Sequence, residues 1–146
     1  MTAPTDDAVH RVATFYETLT PGSLSTIGTY YAAHAHFKDP FNDVQGVEAI
    51  RQIFEHMFHA VDDPRFVVTA RVTQGQQAFL TWDFTFRFKR FDTQRIQTIR
   101  GASHLVWDAE GRVTLHRDYW DAAEELYEKL PGVGALMRWL KRRARE

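Results

Sequence analysis

The sequence predicts an α+β fold in which a curved antiparallel sheet holds helices on its concave side. Two observations support this prediction. Up to Val61, apolar residues recur in steps of three and four, as on one face of a helix. From Arg65 onward, apolar and polar residues alternate, and the segments are rich in Val, Thr, Phe and Trp, as half-buried strands are.

Three helices are predicted in the first half of the chain. The first is capped by Thr5 and ends at Pro21-Gly22, and a shorter second one is capped by Ser23. The third follows Gly46 and stops at Asp62-Asp63-Pro64. Their apolar positions are Val9, Val12, Phe15, Tyr16 and Leu19, then Leu24, Ile27 and Tyr31, then Val47, Ile50, Phe54, Met57, Phe58 and Val61.

Five strands are predicted, over residues 35–38, 66–73, 77–90, 96–107 and 112–121. The last four are separated by short polar or glycine-containing gaps, which is typical of an antiparallel meander. In the strand over 77–90, alternation points Leu80, Trp82, Phe84, Phe86 and Phe88 to one side. One face of the sheet is therefore strongly aromatic.

A single domain is expected over residues 1–146, with a core over 5–121 and a helical extension over 122–146. The extension contains a short acidic helix over 122–130 and an amphipathic one over 132–146. The apolar stripe of the second is Val133, Leu136, Met137 and Leu140, surrounded by Arg138, Lys141, Arg142, Arg143 and Arg145. We favour packing of this helix on its own domain; the alternative is contact with an anionic membrane surface or an acidic partner.

Composition excludes several classes of protein. The formal net charge is −1 over 146 residues, whereas nucleic-acid-binding domains usually carry a basic excess, so no nucleic-acid partner is expected. No cysteine is present, which excludes a disulfide framework and a cysteine nucleophile. The first residues lack an apolar core and no run of about 18 apolar residues occurs, so we expect a cytoplasmic protein.

Asp39 is the first candidate for chemistry. It lies between a predicted strand and a predicted helix, next to Pro40 and close to Phe37 and Phe41. A carboxylate beside aromatic rings can be poorly hydrated and act as a proton acceptor. The alternative is structural, because an Asp before Pro favours turn initiation. Asp39 would then only cap the turn.

A second group of candidates lies on the last predicted strand. Alternation puts His116, Asp118 and Trp120 on one face and Arg117, Tyr119 and Asp121 on the other. The preceding strand supplies Arg100, Ser103 and His104 as antiparallel neighbours. One register pairs His104 with His116 and Arg100 with Trp120, and another pairs Ser103 with His116. Both registers stay open, because a slip of one residue reverses the faces.

A His and an Asp on adjacent strands can form an acid/base pair, since the carboxylate fixes the imidazole tautomer. They can equally form a structural ion pair. Arg100 could offset a buried Asp118 or orient an anionic or carbonyl substrate, or it could be a solvated sheet residue.

No metal or cofactor is expected. His34 with His36, and His56 with His59, have spacings that can ligate zinc or iron, but no H-E-x-x-H pattern and no third ligand are indicated. Phosphate-loop, dinucleotide-binding and serine-hydrolase motifs are absent from the sequence.

Three segments carry a resemblance to a known superfamily: FYETLTPGSL, AHFKDPFNDVQGVEAI and GASHLVWDAEGRVTLHRDYWD. Through them the chain, up to Asp121, resembles the nuclear-transport-factor-like cone folds, which include ketosteroid isomerases, SnoaL-like polyketide cyclases and limonene-epoxide hydrolases. The resemblance implies a cone-shaped sheet wrapped around the three N-terminal helices. It implies no single activity, because enzymes, binding domains and partner-docking domains share this fold.

The resemblance also implies roles for individual residues. Asp39 falls where ketosteroid isomerases have their general base. Phe15 and Ser103 fall where those enzymes place the tyrosine and the protonated aspartate of their oxyanion hole, so that hole is not matched. Tyr16 is one residue from the tyrosine position and turned aside by about 100° on a helix.

Two other activities are implied by spacing similar to that of family members. His104 and Asp118 resemble the histidine and aspartate of the SnoaL-like cyclases, which carry out aldol chemistry without a metal or cofactor. Asp118, Arg100 and Asp39 resemble the aspartate-arginine-aspartate set of the epoxide hydrolases.

These observations together predict a cofactor-independent enzyme with an aromatic pocket between the sheet and the three helices. The expected pocket residues are Tyr16, Phe54, Trp82, Phe84, Phe86, Ser103, Trp107 and Trp120. Asp39 or Asp118 would move a proton α to a carbonyl or activate water. His104 or His116 would be its partner, and Arg100 would give electrostatic support. The substrate would be small and hydrophobic, such as a polyketide-like, terpenoid or lipid-derived compound.

The competing hypothesis is a non-catalytic ligand-binding or interaction domain that forms a homodimer through the outer face of the sheet. The pocket distinguishes the two. An open pocket reached by at least two titratable groups favours an enzyme, whereas a packed cone favours the interaction domain.

Overall fold

The structure, a computed structural model, describes residues 4–145, with side chains from Asp6 onward. Residues 1–3 and Glu146, the last residue of the predicted C-terminal helix, lie outside the described part. The helices are α1 (Pro4–Glu17), α2 (Val47–Ala60), α3 (Ala122–Glu125) and α4 (Val133–Arg145), with 3₁₀ helices at Gly22–Thr29 and Tyr127–Lys129. The strands are β1 (Tyr31–Lys38), β2 (Asp43–Gln45), β3 (Asp62–Gln74), β4 (Gln77–Arg87), β5 (Gln97–Trp107) and β6 (Val113–Tyr119).

The three predicted N-terminal helices are present, with two differences at their ends. Helix α1 begins at Pro4, which suits the first turn because its missing N–H would have no helical partner, so Thr5 lies inside the helix. The second helix is a 3₁₀ helix that ends at Thr29. Tyr31, predicted on that helix, is instead the first residue of β1.

The sheet has six strands in the order β2-β1-β6-β5-β4-β3. The α+β prediction is confirmed, and β3 to β6 form the expected antiparallel meander. Strand β1, however, runs parallel to β6, so the sheet is mixed. This parallel junction matters for the site, because it sets Phe37 beside His116.

The register of β5 and β6 differs from both registers that the sequence left open. Ser103 pairs with Asp118 and Leu105 pairs with His116. The physical reason is a bulge between Val106 and Trp107, next to the hairpin turn, which adds one residue and shifts every later pair. Ser103 and Asp118 therefore share the inner face of the sheet.

The inner face of the sheet and the N-terminal helices enclose the core. Trp82 and Phe86 of β4 are buried there, as the alternation predicts, together with Ile50 and Phe54 of α2. The helical stripe of α1 is buried against them, with Val9 and Val12 at 1% exposure and Tyr16 at 6%.

The C-terminal extension contains both predicted helices, the first split into α3 and a 3₁₀ turn. The second helix, α4, packs on its own domain through Gly134 and Glu128, but not through its apolar stripe, since Val133, Leu136 and Leu140 are exposed. Within residues 4–145, every helix is too short or too polar to span a lipid bilayer.

Candidate functional site

His116 and Asp118 form a close pair on the inner face of β6. They stand two residues apart on one strand, so their side chains point to the same side. Nε2 of His116 lies 2.6 Å from Oδ1 of Asp118. The His116 side chain is 5% exposed and that of Asp118 is 17% exposed, so the carboxylate is the part of the pair that remains accessible.

Two tyrosines extend this pair on the other side of the imidazole. The hydroxyl of Tyr31 lies 2.7 Å from Nδ1 of His116, and the Tyr16 hydroxyl lies 2.7 Å from that of Tyr31 and 3.2 Å from the same Nδ1. Burial raises the pKa of both phenols well above the ordinary value. Both tyrosines are therefore neutral and able to donate a hydrogen bond.

Helix α1 directs Tyr16, and not Phe15, toward this pair. Phe15 packs in the core and stacks on Tyr30, with ring centroids 4.4 Å apart. Tyr16, which the resemblance turns aside from the tyrosine position, thus reaches the site, in agreement with its place among the expected pocket residues. The reason is that a 100° rotation per residue moves one neighbour away from the sheet and the next one onto it.

Ser103 and Trp82 hold Asp118 from the neighbouring strands. Ser103 Oγ donates to Asp118 Oδ1 at 2.5 Å, and Trp82 Nε1 donates to Ser103 Oγ at 2.9 Å. The indole ring fits here because Gly101 lies beneath it: a Cβ on Gly101 would overlap the six-membered ring of Trp82. Glycine at this position therefore makes room for the Trp82 to Ser103 hydrogen bond.

These contacts form a hydrogen-bond chain that converges on one oxygen. With Asp118 ionised, His116 donates from Nε2, and in the neutral imidazole Nδ1 accepts from Tyr31. Within residues 6–145, all hydrogen bonds to the Asp118 carboxylate fall on Oδ1. Oδ2 thus retains its lone pairs for a group outside the chain.

Asp118 lies in the wall of an apolar cavity of about 240 Å³. Aromatic and aliphatic side chains dominate the lining, which consists of Phe37, Asp39, Ile53, Phe54, Met57, Val61, Phe66, Trp82, Phe84, Phe86, Phe88, Ile99, Asp118, Trp120 and Leu126. A smaller lobe of about 20 Å³ adjoins it and is bordered by Tyr16, Ser103, His116 and Asp118. The lobe is large enough for about one water molecule.

Asp39 also borders the cavity, and it caps the turn that follows β1. Its Oδ1 accepts hydrogen bonds from the backbone N–H groups of Phe41 and Asn42, at 2.8 and 2.7 Å, and from the Asn42 side-chain amide. The structural role considered from the sequence is therefore present. Asp39 is also part of the cavity lining, so the cavity has two titratable groups in its wall, Asp39 and Asp118.

A family model for the SnoaL-like domain matches residues 12–116, which is most of the chain. The chain belongs to the SnoaL-like domain family. No curated protein matches it.

Several solved structures are similar in fold to this SnoaL-like domain. An epoxide hydrolase of Mycobacterium tuberculosis described as LEH-like has a TM-score of 0.72 and 15% identity, over 97% of this chain and 96% of that chain. A putative SnoaL-like polyketide cyclase from Shewanella putrefaciens has a TM-score of 0.67 and 18% identity, over 86% of each chain. A protein with a ketosteroid isomerase-like fold from Catenulispora acidiphila, in complex with trimethylamine, has a TM-score of 0.68 and 17% identity, over 82% of this chain and 88% of that one. At these identities the likeness concerns the fold.

In this SnoaL-like fold, two of the predicted catalytic residues lie away from the cavity. His104 is on the outer face of β5, where it stacks on Phe79 with ring centroids 4.5 Å apart and lies 2.9 Å from Oε1 of Gln77. Arg100 lies on the same face and binds Glu125 of α3 at 2.9 Å. The expected approach of His104 to Asp118 is not observed. The bulge sets the register in which Ser103 pairs with Asp118, so Ser103 faces the cavity and its neighbour His104 faces outward.

Most of the predicted pocket residues border one of the two cavities. Phe54 and Trp82 border both, Tyr16 and Ser103 border the smaller lobe, and Phe84, Phe86 and Trp120 border the larger cavity. Trp107 does not border either cavity: it is 3% exposed and packs in the core at the hairpin end of β5.

Tyr31 is the participant that sequence reasoning missed. Its helical spacing from Leu24 and Ile27 predicts it at the end of a helix. A period of two running backward from Phe37 reaches Ala35 and Tyr31, and both are buried on β1; Ala33 between them is exposed, where the strand is irregular.

The histidine pairs considered for metal binding do not assemble a site. Among the described residues, no group of three potential ligands is present. His36 instead pairs with Asp43, and the hydrogen bond from His36 lowers the pKa of that carboxyl. His56 and His59 lie exposed on α2.

Proposed function

We propose that this SnoaL-like protein catalyses cofactor-independent proton transfer on a small hydrophobic substrate, with Asp118 as the general base. One observation carries the proposal: Asp118 has Oδ1 anchored by His116 and Ser103, while the carboxylate borders an aromatic cavity. A carboxylate held in a fixed orientation at the wall of an apolar cavity is suited to proton abstraction.

The hydrogen-bond chain supports this role by orienting the base. Ser103 and His116 fix the plane of the carboxylate, and Tyr31 fixes the imidazole from its other nitrogen. These donors are in place before the reaction, so the carboxylate is held in one orientation for proton abstraction. In this proposal Ser103 and Tyr31 are positioning residues, and Asp118 is the catalytic residue.

The lining of the cavity indicates the class of substrate. Phe66, Phe84 and Trp82 offer ring faces and edges, and Asp39 and Asp118 provide the ionisable groups. Such a cavity fits a small apolar molecule with one reactive carbonyl or equivalent group. Asp118 would remove a proton α to that carbonyl, or from water in the adjoining lobe, as in an isomerase, a cyclase or a hydratase. Asp39 would serve as the second proton-transfer group.

The experiment measures proton abstraction directly, so it does not require knowledge of the net reaction. A panel of hydrophobic ketones is incubated with the protein in D₂O, and deuterium incorporation at the α carbon is followed by NMR. Asp118→Asn keeps the size of the side chain and removes the base. The exchange rate is expected to fall by about 10²- to 10⁴-fold, the usual contribution of a positioned general base.

Asp83→Asn is the matched control, because Asp83 lies on β4 with its side chain on the outer face, opposite Arg100. It should exchange at the rate of the unmodified protein. Exchange that is unchanged in Asp118→Asn would remove Asp118 from the mechanism. Binding of hydrophobic ligands without any exchange or hydration would favour the alternative, a ligand-binding domain of the same fold.

A further inference from the structure

Helix α4 presents an apolar stripe to the solvent. Val133, Leu136 and Leu140 are 41%, 52% and 44% exposed, and Trp139 beside them is 49% exposed. Steps of three and four residues put the first three on one side of the helix, together with Met137. Contiguous exposed apolar residues of this kind mark an interaction surface.

The stripe is left exposed because α4 packs through another side, about 100° around the helix. Gly134 is buried against the backbone of Glu128, so closely that a Cβ on Gly134 would overlap the Glu128 carbonyl. Arg138 Nη1 donates to the Glu128 carbonyl at 3.0 Å, and Lys141 Nζ lies 3.2 Å from its carboxylate. The residues that hold α4 are therefore small or charged, and Val133, Leu136 and Leu140 stay about half exposed.

The charge of α4 is opposite to that of the rest of the protein. The helix contains five Arg or Lys residues and no Asp or Glu. Since the whole sequence has 18 basic and 19 acidic side chains, 13 basic and 19 acidic ones remain elsewhere. The positive charge is thus concentrated on the helix that carries the exposed stripe.

We propose that α4 docks the protein on an anionic membrane surface, independently of any catalytic activity. The helix would lie in the plane of the interface, with Leu136 and Leu140 between the lipid chains and Trp139 at the level of the headgroups. Arg142 and Arg145 would contact the negatively charged headgroups. Such a surface combines the two requirements for peripheral binding, an apolar face and a cationic flank.

Charge disfavours self-association of two α4 helices as the explanation of the stripe. Pairing the stripes of two copies would bring two rows of cations together, and like charges at close range repel. An anionic lipid surface instead neutralises the cations while it covers the apolar residues. Docking of a second copy is distinguished by the experiment.

The test is flotation of the full-length protein with vesicles. Vesicles of phosphatidylcholine alone are compared with vesicles of phosphatidylcholine and phosphatidylserine in equal amounts, at low and at high salt. The protein should float with the phosphatidylserine vesicles only, and high salt should release part of it because the charges are screened. Neutralising two cations in Arg142→Gln/Arg145→Gln should lower the partition coefficient by about 30-fold.

Leu136→Gln/Leu140→Gln removes the apolar contribution and should leave the protein in the soluble fraction. Ile96→Gln is the matched control, since Ile96 is a loop residue that is 67% exposed, and it should float like the unmodified protein. Thermal unfolding of all variants checks that the fold is retained. Equal recovery of the unmodified protein with both kinds of vesicle overturns the proposal. So does a halved molecular mass of Leu136→Gln/Leu140→Gln in light scattering, because the stripe would then be covered by a second copy.

Discussion

Nε2 of His116 lies 2.6 Å from Oδ1 of Asp118, on the same face of one strand. The pair is determined locally, because residues two apart on a strand always share a face. Its surroundings are determined by tertiary structure: Tyr31 comes from the parallel strand β1, and Ser103 comes from the antiparallel strand β5. The consequences of this arrangement can be measured through stability as well as through activity.

Tyr31→Phe should reduce stability. The Tyr31 hydroxyl makes hydrogen bonds of 2.7 Å to both Tyr16 and His116, and all three groups are buried. Removing it leaves buried polar atoms with poorer partners, so we expect the free energy of unfolding to fall by about 1–3 kcal/mol. Urea unfolding followed by fluorescence measures this change. Tyr30→Phe is the control, because Tyr30 stacks on Phe15 and takes no part in the hydrogen-bond chain. It should change the free energy of unfolding by much less.

Alkaline pH should destabilise the fold through Tyr16 and Tyr31. Burial raises the pKa of both phenols above the ordinary value of 10.0, so above about pH 10 the unfolded chain loses protons that the folded chain keeps. Unfolding then releases protons, and stability is complete below pH 10 and falls as the pH rises further. The slope should approach about 1.4 kcal/mol per pH unit for each tyrosine.

Denaturant unfolding at several pH values between 9 and 12 measures this slope, and the ultraviolet absorbance of tyrosinate reports ionisation. Tyr16→Phe should lower the slope by about half, because one of the two buried phenols is removed. Ionisation of all tyrosines in the folded protein near pH 10 would contradict the prediction.

Gly101→Ala should destabilise the protein and disturb the site. Its Cβ would overlap the ring of Trp82, whose Nε1 donates to Ser103. Moving a packed indole ring costs about 1–3 kcal/mol and would break the hydrogen bond that orients Ser103 toward Asp118. Gly28→Ala is the control, since a Cβ there meets nothing within 4 Å. A Gly101→Ala protein as stable as the Gly28→Ala protein would show that Trp82 is free to move.

Asp39→Asn separates the two roles of Asp39. An Asn side-chain oxygen can still accept from the N–H groups of Phe41 and Asn42, so the turn should hold and stability should change by about 0.5 kcal/mol or less. If Asp39 also transfers protons, turnover of the substrate should fall strongly in the same variant. Asp39→Ala should lose both the turn and the activity. Full activity of Asp39→Asn would exclude proton transfer by Asp39 and leave only its structural role in the turn.

Some parts of the site are local and follow from the sequence alone. Alternation along β6 places His116 and Asp118 together in any register, and alternation along β4 gives the aromatic wall. The residue of β5 that joins them depends on one bulge between Val106 and Trp107, and a bulge depends on turn closure and not on the strand pattern. For that reason Ser103, and not His104, meets Asp118.

The same distinction applies to the helices. Helical period predicts α4 and its stripe correctly, but it does not state which side of the helix packs on the protein. That choice depends on the close approach of Gly134 to Glu128, a contact between two elements. Likewise, Tyr16 and Phe15 both belong to the apolar stripe of α1, and only the packing of α1 on the sheet decides which one reaches His116.

The outer face of the sheet is expected to form a homodimer. It exposes Phe79, Val67 and Tyr119, each between 43% and 47%, and Arg117 lies 4.7 Å from the ring centroid of Tyr119. Large apolar side chains on a flat sheet face are favourable to bury against a second copy. Phe79→Glu should prevent this contact and halve the molecular mass measured by light scattering. Ile96→Glu, at a loop residue that is 67% exposed, should keep the mass of the unmodified protein. A mass equal to one chain before any substitution would exclude this dimer.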